Sequence, residues 1–159
     1  MTIVLLLTTF LISVCLTIFI RRYAVSRRIM DVPNERSSHS VPTPRGGGVA
    51  IVITFLVGLA ALQVTGFIGL NTLMAMAGAS VLVAGIGFWD DHRGISAKWR
   101  LVVHFISAFW VIYWLNRVPS NPVIEFSQLS DWVMFFVASV SLVWLLNLYN
   151  FMDGIDGIA

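Results

Sequence analysis

The chain has 159 residues, of which 58% are hydrophobic and 11% are charged. A soluble domain carries roughly 25% charged residues, so this composition excludes an ordinary soluble domain and indicates a membrane protein. The formal net charge of +2 is small, and the single cysteine, Cys15, excludes a disulfide framework and a cysteine metal cluster.

Five apolar runs, taken in chain order, are long enough or nearly long enough to cross a hydrocarbon core of about 30 Å, which needs roughly 17–25 helical residues. Open sheet edges do not occur in lipid, so each run predicts a helix. The first run has no basic residue ahead of it and no small-residue cleavage site after it, which favours a retained helix over a secretory signal. The prediction is an all-α fold, a polytopic membrane helix bundle that forms a single transmembrane domain. Its five transmembrane helices cover about residues 2–20, 49–67, 73–89, 101–115 and 132–149.

The charged residues lie almost entirely in one set of loops. Threading the five spans alternately puts residues 21–48, 90–100 and 150–159 on one side, together with nine of the ten Lys and Arg residues. Positive charge favours the cytosolic side, so these loops are predicted to be cytosolic and the N-terminus periplasmic. A channel or transporter would place ionisable groups inside its spans, which here are nearly bare of them. The residues interpreted as packing groups inside the spans are His104, expected to be hydrogen-bonded, Trp110 and Trp144.

The first cytosolic segment, "DVPNERSSHSVPTPRGGGVA", covers residues 31–50. Its prolines exclude a continuous helix, and three successive glycines permit unusual backbone conformations. Arg45 and the amides of residues 46–48 stand at the start of the second span, where a helix N-terminus attracts anions. The segment predicts either a phosphate-binding loop or a plain connector.

The second segment, "GFWDDHRGISAKWRL", ends the third span with two adjacent acids, Asp90 and Asp91. The pair could share a divalent cation such as Mg²⁺, or one carboxylate could act as a general base. Lys98 and Arg100 follow closely and could hold phosphate. The alternative is an interfacial helix end with a surface ion pair.

The third segment, "NLYNFMDGIDGIA", repeats an amide or acid every third residue: Asn147, Asn150, Asp153 and Asp156. Four oxygen-bearing side chains at the inner end of a span indicate a metal or nucleotide site, although Asp-Gly pairs also form ordinary turns. The topology brings all three segments to one face of the membrane. That combination favours a reaction between a polar phosphorylated substrate and a lipid.

The three segments resemble the polyprenyl-phosphate N-acetylhexosamine-1-phosphate transferases (glycosyltransferase family 4), to which the phospho-MurNAc-pentapeptide translocases are related. The resemblance follows the whole chain in order and spacing, and "SSHSVPTPRGGG" is closest to the O-antigen-initiating branch. It implies Mg²⁺-dependent transfer of a sugar-1-phosphate from a UDP-N-acetylhexosamine, or a deoxy derivative, to undecaprenyl phosphate at the bacterial inner membrane, with release of UMP. Mn²⁺ is a conceivable substitute, and no nucleic acid is expected as a partner.

The resemblance also implies roles for individual residues. Asp90 and Asp91 match the catalytic acid pair, and Asn150 matches a position that can ligate Mg²⁺. Substrate contacts are implied for the remaining matched positions: Arg45, Lys98, Arg100, Asn147, Asp153 and Asp156.

Family members have about ten or eleven spans, so the chain is expected to be the N-terminal half of a longer transferase. A non-catalytic membrane module that binds a lipid phosphate or a partner remains the alternative for these 159 residues. The transferred sugar, the glycan pathway and the oligomeric state, a homodimer included, stay open.

Overall fold

The computed structural model describes residues 2–31, 42–44, 46–115 and 131–153. This part of the chain contains five α-helices and one pair of two-residue strands. The helices are α1 Thr2–Ser26, α2 Gly47–Val64, α3 Leu70–Arg93, α4 Ala97–Leu115 and α5 Asp131–Asp153. The strands, β1 Met30–Asp31 and β2 Thr43–Pro44, pair antiparallel, with Met30 opposite Pro44.

The predicted all-α class is confirmed, because a helix lies at each of the five predicted spans. By length and composition, α1, α2 and α3 can cross a membrane, and residues Val133–Tyr149 of α5 form a shorter apolar helix. Large apolar side chains such as Phe10 and Phe19 are mostly exposed in the chain itself. Lipid is as apolar as these side chains, so a membrane protein has no need to bury them.

The chain divides into two compact units. The first contains Met1–Ala61 and Tyr149–Ala159, and the second contains Leu62–Leu148. In the first unit, the strand pair leads into Gly46, whose φ of +103° suits a residue without a side chain. A Cβ atom at Gly46 would lie 3.3 Å from Cγ2 of Ile20, so α1 approaches the start of α2 closely.

The same hydrogen-bonding motif ends α1 and α2, but with different residues at its left-handed position. At the end of α1, the N–H groups of Arg28 and Ile29 donate to the main-chain oxygens of Val25 and Ala24. At the end of α2, Gly66 occupies the position that Arg28 occupies in α1. This is the Schellman motif, in which glycine is the usual residue. It explains why α2 ends at Val64, three residues before the predicted end of the span.

Arg28→Gly is expected to stabilise the protein, because Arg28 has a φ of +55° and the left-handed region costs a residue with a side chain about 1–2 kcal/mol. Part of that gain is offset by the greater unfolded-state entropy of glycine, about 0.5–1 kcal/mol. The measurement is the Tm of the detergent-solubilised protein, which should rise slightly. Arg27→Gly is the matched control and should lower the Tm, since Arg27 carries no positive φ and its guanidinium lies 5.7 Å from the ring centre of Tyr23. A fall in Tm for Arg28→Gly would contradict the expectation.

In the second unit, α3 and α4 form a closely packed hairpin. The buried face of α4 carries His104, Ser107, Ala108 and Ile112, at the spacing of one helical stripe. Trp110 crosses to α3, where its indole N–H donates to the main-chain oxygen of Met74 at 2.7 Å. The prediction that Trp110 is a packing residue is therefore confirmed.

Aromatic contacts extend the packing of the second unit to α5. The rings of Phe109 on α4 and Phe135 on α5 stack with their centres 5.3 Å apart. Trp144, which the sequence analysis assigned to packing, is 62% exposed, so that prediction is wrong for this chain. Its neighbour Val143 is the buried residue, and successive helical residues point about 100° apart.

Candidate functional site

Asp90 holds the connection between α3 and α4 with three oxygen atoms. Its main-chain oxygen accepts the N–H of Gly94 at 2.8 Å. Its Oδ1 accepts the N–H of Ile95 at 2.7 Å, and its Oδ2 accepts a hydrogen bond from Nη1 of Arg100 at 2.8 Å. The surface ion pair that the sequence left open is therefore present, between Asp90 and Arg100.

The local sequence explains this geometry. Gly94 has a φ of +61° and ends α3 in the left-handed conformation, which turns the chain back sharply. The sequence signal for this turn was a glycine four residues after Asp90. The N–H of Ile95 as a partner, and the choice of Arg100 among the neighbouring cations, were missed because both depend on the path of the turn.

The other candidate residues of the hairpin are described in part. Lys98 lies in the first turn of α4, is exposed, and makes no hydrogen bond or ion pair with the described residues. Asp91 lies in the last turn of α3, and its side chain is outside the described part of the structure. A carboxylate at a helix C-terminus and a cation at a helix N-terminus both oppose the helix dipole. The hairpin therefore carries charges where the helices themselves do not favour them.

The end of α5 carries the asparagine–aspartate repeat on continuous helical backbone. Asn147, Asn150 and Asp153 all belong to α5, and Asp153 is its last residue. The amide nitrogen of Asn147 donates to the main-chain oxygen of Val143 at 2.7 Å. The side chains of Asn150 and Asp153, and all of Asp156, lie outside the described residues. The ligand roles predicted for these positions stay predictions.

The three glycines lie at the start of the second span, as expected. Only Gly46 precedes the helix, since Gly47 and Gly48 belong to the first turn of α2. Arg45 lies outside the described residues. The segment falls in the first unit of the chain and the Asp90 hairpin in the second, so the convergence of the cytosolic segments on one site stays a prediction.

His104 is buried, with only 6% of its surface exposed, which confirms its packing role. The hydrogen bond expected there is not found at Nδ1, which has no partner among the described residues. Within residues 2–31, 42–44, 46–115 and 131–153, no group of three or more His, Cys, Asp or Glu side chains could hold a metal ion.

Comparison with known proteins identifies the family. The model of glycosyl transferase family 4 matches residues 73–159, a range that includes Asp90, the turn at residues 94–96, α4 and α5. No solved structure matches.

Three curated relatives are similar over most of this chain. The decaprenyl-phosphate N-acetylglucosaminephosphotransferase of Mycobacterium leprae is 30% identical over 80% of this chain and 34% of its own length. A protein of Bacillus subtilis named "Probable undecaprenyl-phosphate N-acetylglucosaminyl 1-phosphate transferase" is 25% identical over 91% of this chain and 40% of its own length. The phospho-N-acetylmuramoyl-pentapeptide-transferase of Prochlorococcus marinus is 26% identical over 98% of this chain and 48% of its own length.

The chain thus spans about a third to a half of the length of these relatives. The family match covers more than half of the chain and includes the acid pair and the asparagine–aspartate repeat on which the resemblance was based. The chain belongs to glycosyl transferase family 4.

Proposed function

We propose that this protein transfers an N-acetylhexosamine-type sugar-1-phosphate from a UDP-sugar to undecaprenyl phosphate. The observation that carries the proposal is the family match over residues 73–159. The relatives, which are similar over 80–98% of this chain, are named as phosphosugar or phosphomuramoyl transferases. In the net reaction an oxygen of the lipid phosphate bonds to the sugar-bearing phosphorus. The bond from that phosphorus to the bridging oxygen breaks, and UMP leaves.

The chemistry requires two anionic phosphates to meet, so the site has to supply positive charge and fixed positions. Lys98 offers an exposed ammonium group at the start of α4, and Arg45 is proposed to contribute from the first loop. Asp91 is proposed to position or deprotonate the lipid phosphate. Asp153 and Asp156 are proposed to contact the nucleotide.

Mg²⁺ is the proposed cofactor. Mg²⁺ prefers oxygen ligands and is commonly bound through one or two protein carboxylates together with substrate phosphates. The residue type at the proposed metal position fits this preference, because Asn150, which lies near the end of α5, carries an amide oxygen. When bound there, the ion would neutralise charge on the reacting phosphates.

The proposed location is the bacterial cytoplasmic membrane, with the N-terminus periplasmic and the Asp90 hairpin in the cytosol. The support is the one-sided distribution of Lys and Arg. A UDP-sugar is water-soluble and a polyprenyl phosphate is held by the membrane, so their reaction belongs at the cytosolic surface. The product would initiate O-antigen or another lipid-linked cell-envelope glycan.

The test is a transfer assay on membranes that contain the full-length protein. Undecaprenyl phosphate and MgCl₂ are supplied with UDP-N-acetylglucosamine labelled in the sugar, or with its N-acetylfucosamine or N-acetylquinovosamine counterpart. Label is expected in the lipid fraction with at least one donor, UMP is expected in equal amount, and both should fall to background when EDTA replaces the metal. Membranes from cells that lack the protein are the control.

Binding of undecaprenyl phosphate without transfer from any of the donors would contradict the proposal. That outcome would support the non-catalytic membrane module. Transfer that persists in full with EDTA would contradict the metal requirement alone.

A further inference from the structure

The carboxylate of Asp90, near the end of α3, has partners on both of its oxygens. One oxygen accepts a main-chain N–H and the other accepts an arginine, both at hydrogen-bond distances of 2.7–2.8 Å. The ion pair is partly shielded from water, with side-chain exposures of 34% for Arg100 and 23% for Asp90. A metal ion or proton that bound to this carboxylate would break the ion pair or leave the N–H of Ile95 without its acceptor. Either change costs free energy.

The same contacts show what the carboxylate does for the hairpin. Residues 94–96 are the whole connection between α3 and α4, and Asp90 binds the first two of them as well as the first turn of α4. An ion pair between residues ten positions apart fixes the end of one helix against the start of the next. The positions of neighbouring residues at both helix ends therefore depend on it.

The charged residues at the end of α3 and the start of α4 differ in how they interact with the helix dipoles. Arg93, in the last turn of α3, is a favourable cation, whereas acids there and cations in the first turn of α4 are unfavourable. Asp90 and Arg100 offset that cost by neutralising each other. Lys98 has no such partner among the described residues.

We propose that Asp90 is a positioning residue that acts through Arg100, an assignment that rests on the transferase function proposed above. Asp90 holds Arg100 and the turn at residues 94–96 in place. It thereby sets where Asp91 is presented at the end of α3 and where Lys98 is presented at the start of α4. Arg100 is the partner through which Asp90 acts.

The test is a double-mutant cycle in the full-length protein with Asp90→Asn, Arg100→Gln and the combination of both. Transfer is measured at saturating UDP-sugar and undecaprenyl phosphate, well below the Tm of every variant. If the two residues act as one unit, each single change is expected to lower kcat roughly tenfold, and the double change should lower it no further than the worse single change. Arg100→Lys, which keeps the charge and a donor, is expected to retain most of the turnover.

Three results would overturn the proposal, and the first two are changes in turnover. In one, the double variant loses the product of the two single losses, roughly a hundredfold, as expected for residues that contact the substrate independently. In the other, Asp90→Asn abolishes turnover while Arg100→Gln leaves it intact, which would make Asp90 a catalytic residue. A purely structural pair would change the Tm and leave kcat at low temperature unaltered, and that outcome also contradicts positioning.

Thermal unfolding of the same variants separates this inference from the proposed function. Asp90→Asn and Arg100→Gln should lower the Tm in a coupled, non-additive way. Arg93→Gln, the same charge change on the same hairpin, should lower it less. If the full-length protein transferred no sugar phosphate, the proposed function would fail. Coupled Tm losses would still show that the ion pair between Asp90 and Arg100 stabilises the turn. Additive Tm losses would refute the pairing whatever the activity.

Discussion

Gly78→Ala is expected to destabilise the α3–α4 hairpin by about 1–3 kcal/mol, the usual cost of overpacking a well-packed interior. A Cβ atom at residue 78 would overlap Nε1 of Trp110 and would lie 2.5 Å from its Cε2 and 2.9 Å from its Cζ2. The indole cannot turn away freely, because its N–H is bonded to the main-chain oxygen of Met74. The added methyl group must therefore push α3 from α4 or break that hydrogen bond.

Gly85→Ala is the matched control on the same helix. A Cβ atom at Gly85 meets no atom within 4 Å, so alanine there should gain about 0.5–1 kcal/mol through its higher helix propensity. The measurement is the Tm of the detergent-solubilised protein, which should fall for Gly78→Ala and rise for Gly85→Ala.

Trp110→Ala provides the second control for this contact. In that background the ring is gone, so Gly78→Ala should behave as Gly85→Ala does and raise the Tm. An equal penalty for Gly78→Ala with and without the ring would show that the overlap with Trp110 is not the cause.

Asp91→Asn is expected to lower transferase turnover roughly 10²–10⁴-fold, the range typical of a lost general base, without lowering the Tm. The residue lies in the last turn of α3, where the helix dipole disfavours a negative charge by about 0.3–1 kcal/mol. Its removal should therefore leave stability unchanged or slightly higher. A residue kept at a cost to stability is expected to serve function instead.

Turnover and thermal unfolding are measured together for Asp91→Asn and Asp90→Asn. The two variants should differ in kind, since Asp90→Asn breaks a contact across the turn and lowers the Tm. Normal turnover in Asp91→Asn would remove Asp91 from the site. A large fall in its Tm would assign it to the fold.

Some features of the hairpin were predictable because they are local. Asp90, Asp91 and Gly94 lie within five residues, and a glycine after a helical run ends the helix wherever the helix is found. The close approach of Gly78 to Trp110 was not predictable, because the two residues are 32 positions apart and sit on different helices. The burial of His104 was inferred from its place within a span, but its unpartnered Nδ1 depends on which polar groups the neighbouring helices bring near.

The ends of α1 and α2 also contain one residue whose conformation was predictable from the sequence, Gly66, and one whose conformation was not, Arg28. Gly66 is a residue that sequence reasoning associates with the end of a helix, whereas an arginine in the same left-handed position has no signature. The strand pair that follows Arg28 was also missed, since two residues per strand leave no periodic pattern to read.

The sequence by itself determined that this is a membrane protein of five helices and that most of its charged residues lie in one alternating set of loops. Both follow from the solvent, because lipid demands long apolar runs and expels charge from them. Only the tertiary structure decided that Asp90 is bound to Arg100 and Ile95, and that Trp110 closes over Gly78. The first contact depends on the path of a three-residue turn. The second depends on the distance between two packed helices, which no single stretch of the chain encodes.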